Sequence, residues 1–192
     1  IEAAQSAGLG PIKINCVVQR GINDHTVADL LRHFRGTGIT VRLIEYMDVG
    51  NRNHWNRERV VCAKEMRDAI HAQWPLVPVA PDYAGEVAER YAYADGAGEI
   101  GFITSVSQPF CGGCTRARLS SEGVLYTCLF ASYGMDLRAL MRSGATDEAL
   151  FERVRGTWLS RNDRYSEIRA DQAGAARDQA VGIGGLGRGG PG

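Results

Sequence analysis

Three cysteines form the densest group of potential metal ligands in the sequence. Cys111 and Cys114 flank a Gly-Gly pair and Cys128 follows, which gives the spacing C-x2-C-x13-C. A structural zinc site normally has four protein ligands, but all four histidines precede residue 72 and no acidic residue stands beside these cysteines at ligand spacing. An iron–sulfur cubane held by three thiolates keeps one iron open to a substrate. A zinc ribbon completed by Cys62 or a distant histidine is the structural alternative.

A β-hairpin is predicted by the residues that separate the second cysteine from the third. A three-residue loop at 121–123, with Gly123 in the left-handed region, pairs Ser120 with Val124. Side chains alternate along a strand, so a slip of one residue would send the third cysteine to the opposite face. The register of this hairpin therefore decides whether the three thiols can meet.

In this register Cys128 lies opposite Arg116, and Cys114, Arg116 and Arg118 share its face. The planar fork of arginine suits phosphate oxygens, and two arginines at i and i+2 on a strand point the same way. The hairpin therefore predicts three soft ligands and two permanent cations around one point, where a phosphorylated ligand would bind. Two arginines on a solvated face are the alternative interpretation.

Lys13 is a further charged side chain with a predicted role. It lies within an apolar run at 12–19 that is rich in β-branched residues, which predicts a buried strand. An unpaired ammonium is costly in apolar surroundings, so we expect Lys13 to face a polar interior. The alternative is an edge-strand lysine whose head reaches water.

The first part of the sequence predicts a βαβ unit. Its elements are a strand at 12–19, a helix at 27–34, a strand at 41–46 and then a further helix at 63–74. Asp24 or Thr26 caps the first helix. A βαβ unit implies parallel strands in an open sheet or a barrel. The prolines at 75–81 predict an extended connection after it.

From residue 90 onward the pattern changes to short strands separated by glycine-containing turns, and helices follow. The predicted strands are 90–94, 99–106, 116–120 and 124–130, and the predicted helices are 135–141 and 147–159. We therefore place a boundary near 75–85 and predict an α/β fold. Residues 181–192 include seven glycines and predict no regular element.

The composition is that of a soluble globular protein. Hydrophobic residues make up 44% of the 192 residues and charged residues make up 23%. The formal net charge is zero, which argues against a protein that binds long nucleic acid through its phosphates. No apolar run approaches the roughly 20 residues of a membrane span, and no export signal is recognisable. We expect a cytoplasmic protein whose five cysteines, an odd number, form no disulfide framework. The start, which lacks an initiator methionine, predicts a piece of a longer protein.

Several motifs together resemble the GTP 3',8-cyclase family, radical S-adenosylmethionine enzymes that open molybdenum cofactor biosynthesis. The runs 110–119 and 123–130, which hold the three cysteines and the two arginines, are similar to the C-terminal cluster motif of that family. The likeness covers about residues 8 to 170, in order and spacing. Further matching runs are 13–15, 21–24, 42–50, 85–90 and 163–166.

The resemblance implies a lyase reaction on GTP. In that family an incomplete β/α barrel carries a C-x3-C-x2-C motif, whose cluster cleaves S-adenosylmethionine to a 5'-deoxyadenosyl radical. The radical takes hydrogen from C3' of GTP, and the ribose carbon then bonds to C8 of guanine. A second 4Fe–4S cluster, held by three cysteines, binds the guanine through its open iron.

Site residues are implied one by one. The second cluster takes Cys111, Cys114 and Cys128 as its ligands. By this resemblance Arg116 and Arg118 make catalytic contacts to GTP, and Lys13 also binds GTP. The S-adenosylmethionine pocket is lined by Arg42 and Met47.

The sequence departs from the family by lacking a C-x3-C-x2-C motif, so we expect the chain alone to be inactive. The resemblance implies that 1–80 is the last part of the barrel, 81–172 the cluster-binding C-terminal region, and 173–192 a flexible tail. A glycine pair at 184–185 resembles the family ending, but the chain continues beyond it and we assign it no function. The G-x-G-x-x-G run at 182–187 lacks the strand and helix of a dinucleotide site.

The partners implied are GTP, the missing N-terminal barrel half and, by resemblance, a second copy in a homodimer. Two alternatives stay open. One is a zinc-stabilised module that binds nucleic acid or protein, and the other is a related radical enzyme, such as a peptide-modifying enzyme, with an auxiliary cluster for another substrate.

Overall fold

The computed structural model describes residues 1–48 and 55–168. It is an α/β protein, as predicted. Its helices are α1 (Glu2–Ser6), α2 (Val27–Phe34), α3 (Ala63–Gln73), α4 (Leu137–Arg142) and α5 (Asp147–Leu159). Its strands are β1 (Lys13–Val18), β2 (Thr40–Glu45), β3 (Leu76–Val79), β4 (Glu89–Tyr93), β5 (Glu99–Ile103), β6 (Arg118–Leu119), β7 (Val124–Tyr126) and β8 (Met135–Asp136).

Five strands form one mixed sheet in the order β1-β2-β5-β4-β3. β1, β2 and β5 run parallel, which confirms the predicted βαβ unit, and β4 pairs antiparallel with both β5 and β3. The predicted division lies between residues 80 and 81, but the sheet contains strands from both sides of it, since β5 lies between β2 and β4. The division therefore falls within one sheet.

The hydrophobic core lies on the face of this sheet that α2 and α3 cover. Leu31 of α2, Leu43 of β2, and Ile100 and Phe102 of β5 are fully buried there. β1 alternates between this face and an open one, on which Lys13 and its neighbours two and four residues on are exposed. The open face is the one that carries charged side chains.

Two local predictions for this part of the chain are wrong: the cap of α2 and the proline-marked connection. The side chain of Thr26 makes no capping hydrogen bond to α2; the carboxylate of Asp24 instead accepts from the backbone N–H of Gly21 at 3.0 Å, and a short 3-10 turn leads into the helix. The proline-marked segment is not only a connection, because it contains β3. This strand lies at the sheet edge, where the missing N–H of Pro78 is tolerated.

A second, antiparallel sheet contains β6, β7 and β8. Its strands β6 and β7 are shorter than predicted, and β8 takes the start of the segment predicted as helix. α4 therefore begins two residues later than predicted, where the Asp136 side chain caps it by accepting from the Ala139 N–H at 2.8 Å. α5 has the predicted bounds, with Thr146 as its cap.

No helix among the described residues is long and apolar enough to cross a membrane. The predicted tail at 173–192, with its glycine pair and its G-x-G-x-x-G run, lies outside the described residues.

Candidate metal and nucleotide site

The structure brings most of the predicted site residues to one cavity, which we name the cysteine cavity. Its walls come from the cysteine loop (residues 110–115), the β6–β7 hairpin, the ends of β2 and β5, and the segment after α5. The predicted site residues that line it are Cys111, Cys114, Cys128, Arg116, Arg118 and Met47. All three cysteines are free thiols of intermediate burial.

The register of the hairpin is the predicted one. Gly123 has φ of +80°, the Ser120 N–H donates to the Val124 carbonyl at 2.9 Å, and Arg118 pairs with Tyr126. The ladder ends at this pair, so the strands do not extend to the predicted partners Arg116 and Cys128. Both side chains nevertheless line the cysteine cavity.

The surroundings of Cys114 stabilise its thiolate. Burial raises its pKa, but hydrogen bonds from the backbone and the guanidinium of Arg116, with the charges of Arg116 and Arg161, outweigh burial and lower the pKa from its ordinary value. The Nε of Arg116 lies 3.3 Å from the Cys114 sulfur. The hairpin arginine therefore favours the form of cysteine that binds metal.

The segment after α5 closes the cavity, and local spacing around the cysteines could not have found it. Asp163 accepts from the Thr127 hydroxyl at 2.6 Å, and the ring of Tyr165 stacks on Phe130 with centroids 4.2 Å apart. The Tyr165 hydroxyl also donates to Asp48 at 2.9 Å. These contacts join the hairpin to the end of β2.

Arg161 and Asp163 are the charged cavity residues that spacing missed. The guanidinium of Arg161 donates to the Cys111 carbonyl at 3.2 Å. The matching run 163–166 was the only sequence signal near this segment, and it carried no residue roles.

Glu45 is a third residue that sequence reasoning missed, and it is fully buried. Its carboxylate accepts from the backbone N–H groups of Ala63 at 2.8 Å, Val106 at 2.7 Å and Ser107 at 2.7 Å, and also from the Ser107 hydroxyl. It thus joins β2 to the start of α3 and to the turn that leads into the cysteine loop. The sequence did offer one signal for this role, because Glu45 is the only acidic residue of a mostly apolar strand. A buried carboxylate needs hydrogen-bond partners, so its position predicts such contacts.

Gly85 contacts the cysteine loop from the other side. Its φ is +81°, and a Cβ there would lie 2.7 Å from the Thr115 methyl group and 2.9 Å from the Gly113 carbonyl oxygen. Only glycine fits this conformation without strain or displacement of the loop.

Lys13 and Arg42 do not reach the cysteine cavity. They lie on the open face of the sheet, in a second cavity that we name the lysine cavity. Its charged lining residues are Lys13, Arg42, Asp82, Glu86, Arg90 and Glu99. Arg42 and Met47, predicted to line one pocket, are therefore in different cavities.

The lysine cavity holds a carboxylate between two guanidinium groups. The Glu86 side chain is only 1% exposed; its Oε1 lies 3.9 Å from Arg42 and its Oε2 lies 3.9 Å from Arg90. Oε1 has no hydrogen-bond partner among the described residues. Gly101 lies opposite Arg42 on β5, and its missing Cβ leaves room for the Arg42 side chain to cross the sheet face.

The donor set of the cysteine cavity consists of three thiols, which an iron–sulfur cluster could take as ligands. Among the described residues, no group of three or more His, Cys, Asp or Glu side chains is arranged to hold a metal ion. The cysteines of a cubane bind separate iron atoms and surround a volume, as these three thiols surround the cavity. Cys62 and the described histidines, which the zinc alternative needs, do not line it. The three predicted ligands and both predicted arginines line this one cavity.

Comparisons with known proteins place this chain among its relatives. The family described as Molybdenum Cofactor Synthesis C matches residues 39–167. A GTP 3',8-cyclase of Xanthomonas campestris pv. campestris (strain B100) is 55% identical over 170 residues, which cover 88% of this chain and 50% of that protein. The GTP 3',8-cyclase of Acidothermus cellulolyticus is 50% identical over 184 residues, covering 94% and 51%. That of Staphylococcus aureus (strain JH9) is 47% identical over 180 residues, covering 93% and 53%.

The chain spans about half the length of the curated relatives it matches. The matched family region contains the three cysteines, the hairpin and both arginines, and it continues through the segment after α5 that closes the cysteine cavity. The chain belongs to the Molybdenum Cofactor Synthesis C family.

Proposed function

We propose that this chain is the part of a GTP 3',8-cyclase that holds the second 4Fe–4S cluster and GTP. In the whole protein the reaction would convert GTP, with S-adenosylmethionine, to (8S)-3',8-cyclo-7,8-dihydroguanosine 5'-triphosphate for molybdopterin synthesis. The observation that carries the proposal is the single cavity lined by three free thiols and two arginines. The names of the relatives support the substrate.

Cys111, Cys114 and Cys128 would hold the cluster. When bound, a cluster with three cysteine ligands offers an iron with an open coordination position to a donor atom of the purine. The chain's own contribution is to place Arg116 and Arg118 on the same hairpin as the third cysteine, so that their guanidinium groups stabilise the charge of the bound nucleotide.

Lys13 would bind GTP, and Arg42 would line the S-adenosylmethionine pocket, both from the lysine cavity. Lys13 is exposed on the open face of β1, where an anion can reach its ammonium group. Val17 is also 47% exposed on that face, an apolar surface that supports contact with the N-terminal barrel half. We expect no turnover from the 192-residue chain alone.

Anaerobic reconstitution tests the proposal. The chain should take up about four irons and four acid-labile sulfides, and addition of GTP should change the EPR spectrum of the reduced cluster. Cys114→Ser should lose most of the iron, whereas Cys62→Ser, at an exposed free thiol outside the cavity, should keep it. Zinc without acid-labile sulfide in the purified chain would contradict the proposal and favour the zinc-stabilised module.

The arginines need a separate experiment. Arg116→Ala with Arg118→Ala should remove the effect of GTP on the spectrum while the iron content stays unchanged. Retention of GTP affinity in this double variant would favour a related radical enzyme whose auxiliary cluster serves another substrate.

A further inference from the structure

Arg161 is held rigidly against the cysteine loop. It follows α5 by two residues, its Nη2 donates to the Cys111 carbonyl at 3.2 Å, and its guanidinium lies over the Trp158 ring at 4.4 Å from the centroid. It also lines the cysteine cavity. A planar cation fixed at two points has little freedom to turn elsewhere.

The other terminal nitrogen of this guanidinium, Nη1, lacks a partner in the described part of the chain. Nη1 of Arg161 is buried and makes no hydrogen bond to any described residue. Buried donors on charged groups are normally satisfied, so Nη1 indicates an acceptor that the described residues do not supply.

The acceptor is best matched by sulfur. Arg161 donates to the backbone carbonyl of Cys111, a proposed cluster ligand, and it lines the same cavity as the three thiols. Arg116 and Arg118, in contrast, belong to the hairpin and serve the nucleotide in the proposed function. Hydrogen bonds to cluster sulfurs and nearby charge both set the reduction potential of an iron–sulfur cluster.

We propose that Arg161 is a third arginine of the site, whose Nη1 donates an N–H···S hydrogen bond to the cluster held by Cys111, Cys114 and Cys128. The inference rests on the proposed function. The added electron of the reduced cluster is stabilised by this cation and this hydrogen bond, so Arg161 raises the reduction potential.

The test uses the 192-residue chain, reconstituted anaerobically, and the variants Arg161→Gln and Arg161→Lys. Arg155→Gln is the matched control, because Arg155 lies on the exposed side of α5 and pairs with Glu152 at 3.2 Å. Iron and sulfide are counted, folding of the chain before reconstitution is followed by circular dichroism, and the potential is measured by EPR-monitored redox titration.

We expect unchanged iron content in all three variants. At a fixed solution potential, the ratio of reduced to oxidised cluster should fall about tenfold in Arg161→Gln, the size expected for one hydrogen bond to a charged group. That corresponds to a fall of about 59 mV in a one-electron couple. Arg161→Lys should recover part of the fall, since it keeps the charge, and Arg155→Gln should match the parent.

Two results would overturn the inference. One is an Arg161→Gln variant with full iron and the parent potential. The other is loss of iron from both Arg161 variants while the chain stays folded, which would show that Arg161 only supports the loop through the Cys111 carbonyl. A parent chain that binds no iron would contradict the proposed function and this inference with it.

Discussion

Replacement of Glu45 by glutamine tests whether one buried carboxylate joins the core to the cysteine loop. The first N–H groups of a helix have no partner within the helix, and Cys62, the N-cap of α3, makes no side-chain capping bond. The Glu45 carboxylate takes this role from a neighbouring strand, through the Ala63 N–H, and a negative charge at a helix N-terminus is itself favourable. Its other oxygen accepts from two N–H groups of the turn that leads to the cysteines.

The cost follows from counting donors. Glutamine keeps the volume and can place its carbonyl oxygen against the Val106 and Ser107 N–H groups, with its NH2 group donating to the Ser107 hydroxyl. The Ala63 N–H then has no acceptor, which costs about 1–3 kcal/mol, and two bonds to a charged group become bonds to a neutral one, at about 1 kcal/mol each. Removal of the buried charge returns part of its desolvation penalty. We expect Glu45→Gln to lower the free energy of unfolding by about 2–4 kcal/mol.

Urea unfolding followed by circular dichroism gives this free energy, and hydrogen exchange locates the damage. The Ala63 amide should lose more protection than the Val106 amide, because only Ala63 loses its acceptor. The control is Glu152→Gln on α5, where a carboxylate that is 62% exposed pairs with Arg155; it should change stability by less than about 0.5 kcal/mol. A Glu45→Gln variant within about 1 kcal/mol of the parent, with Ala63 still protected, would refute the argument.

Three further results are expected. Gly85→Ala should lower both stability and iron uptake more than Gly96→Ala does, because both glycines have positive φ but only the first has neighbours within 4 Å; equal effects in iron and urea assays would show that the contact is unimportant. Burial and the carboxylates of Glu45 and Glu65 raise the pKa of Cys62, so its thiolate fraction is low near pH 8 and iodoacetamide should react slowly. Glu65→Gln should speed this alkylation, and an unchanged rate would contradict the electrostatic cause. Removal of iron by a chelator should increase hydrogen exchange in 107–136 and leave β1, β2 and β5 unaffected, whereas a uniform change would contradict this locality.

The elements that sequence predicted best are those with local causes. Apolar spacing predicted the extent of α2, α5 has the predicted bounds, and the loop with Gly123 predicted the hairpin register. This hairpin register agrees with the placement of thiols and arginines in one cavity. Arg42 and Met47, in contrast, line different cavities. Alternation along β2 and its end at Glu45 separate those two side chains.

The elements that sequence missed depend on distant partners. β3 forms because β4 offers an edge to a segment whose prolines alone predict a connection. β8 is two residues long and exists only through its pairing with β7. Arg161 enters the cavity because α5 directs the chain back toward the cysteine loop, and no spacing between cysteines contains that information.

The distribution of buried side chains explains why these distant contacts matter to the site. Within the described ranges every buried residue lies between Val18 and Val106, so the cysteine loop and the hairpin follow the core rather than belong to it. Apolar burial therefore contributes little to their position. What holds them is a small set of polar and aromatic contacts, from Glu45 at the start of the loop and from Asp163 and Tyr165 at the far side. Metal binding commonly supplies folding free energy where a core does not, and three thiols around one cavity are the groups through which this part of the chain would receive it.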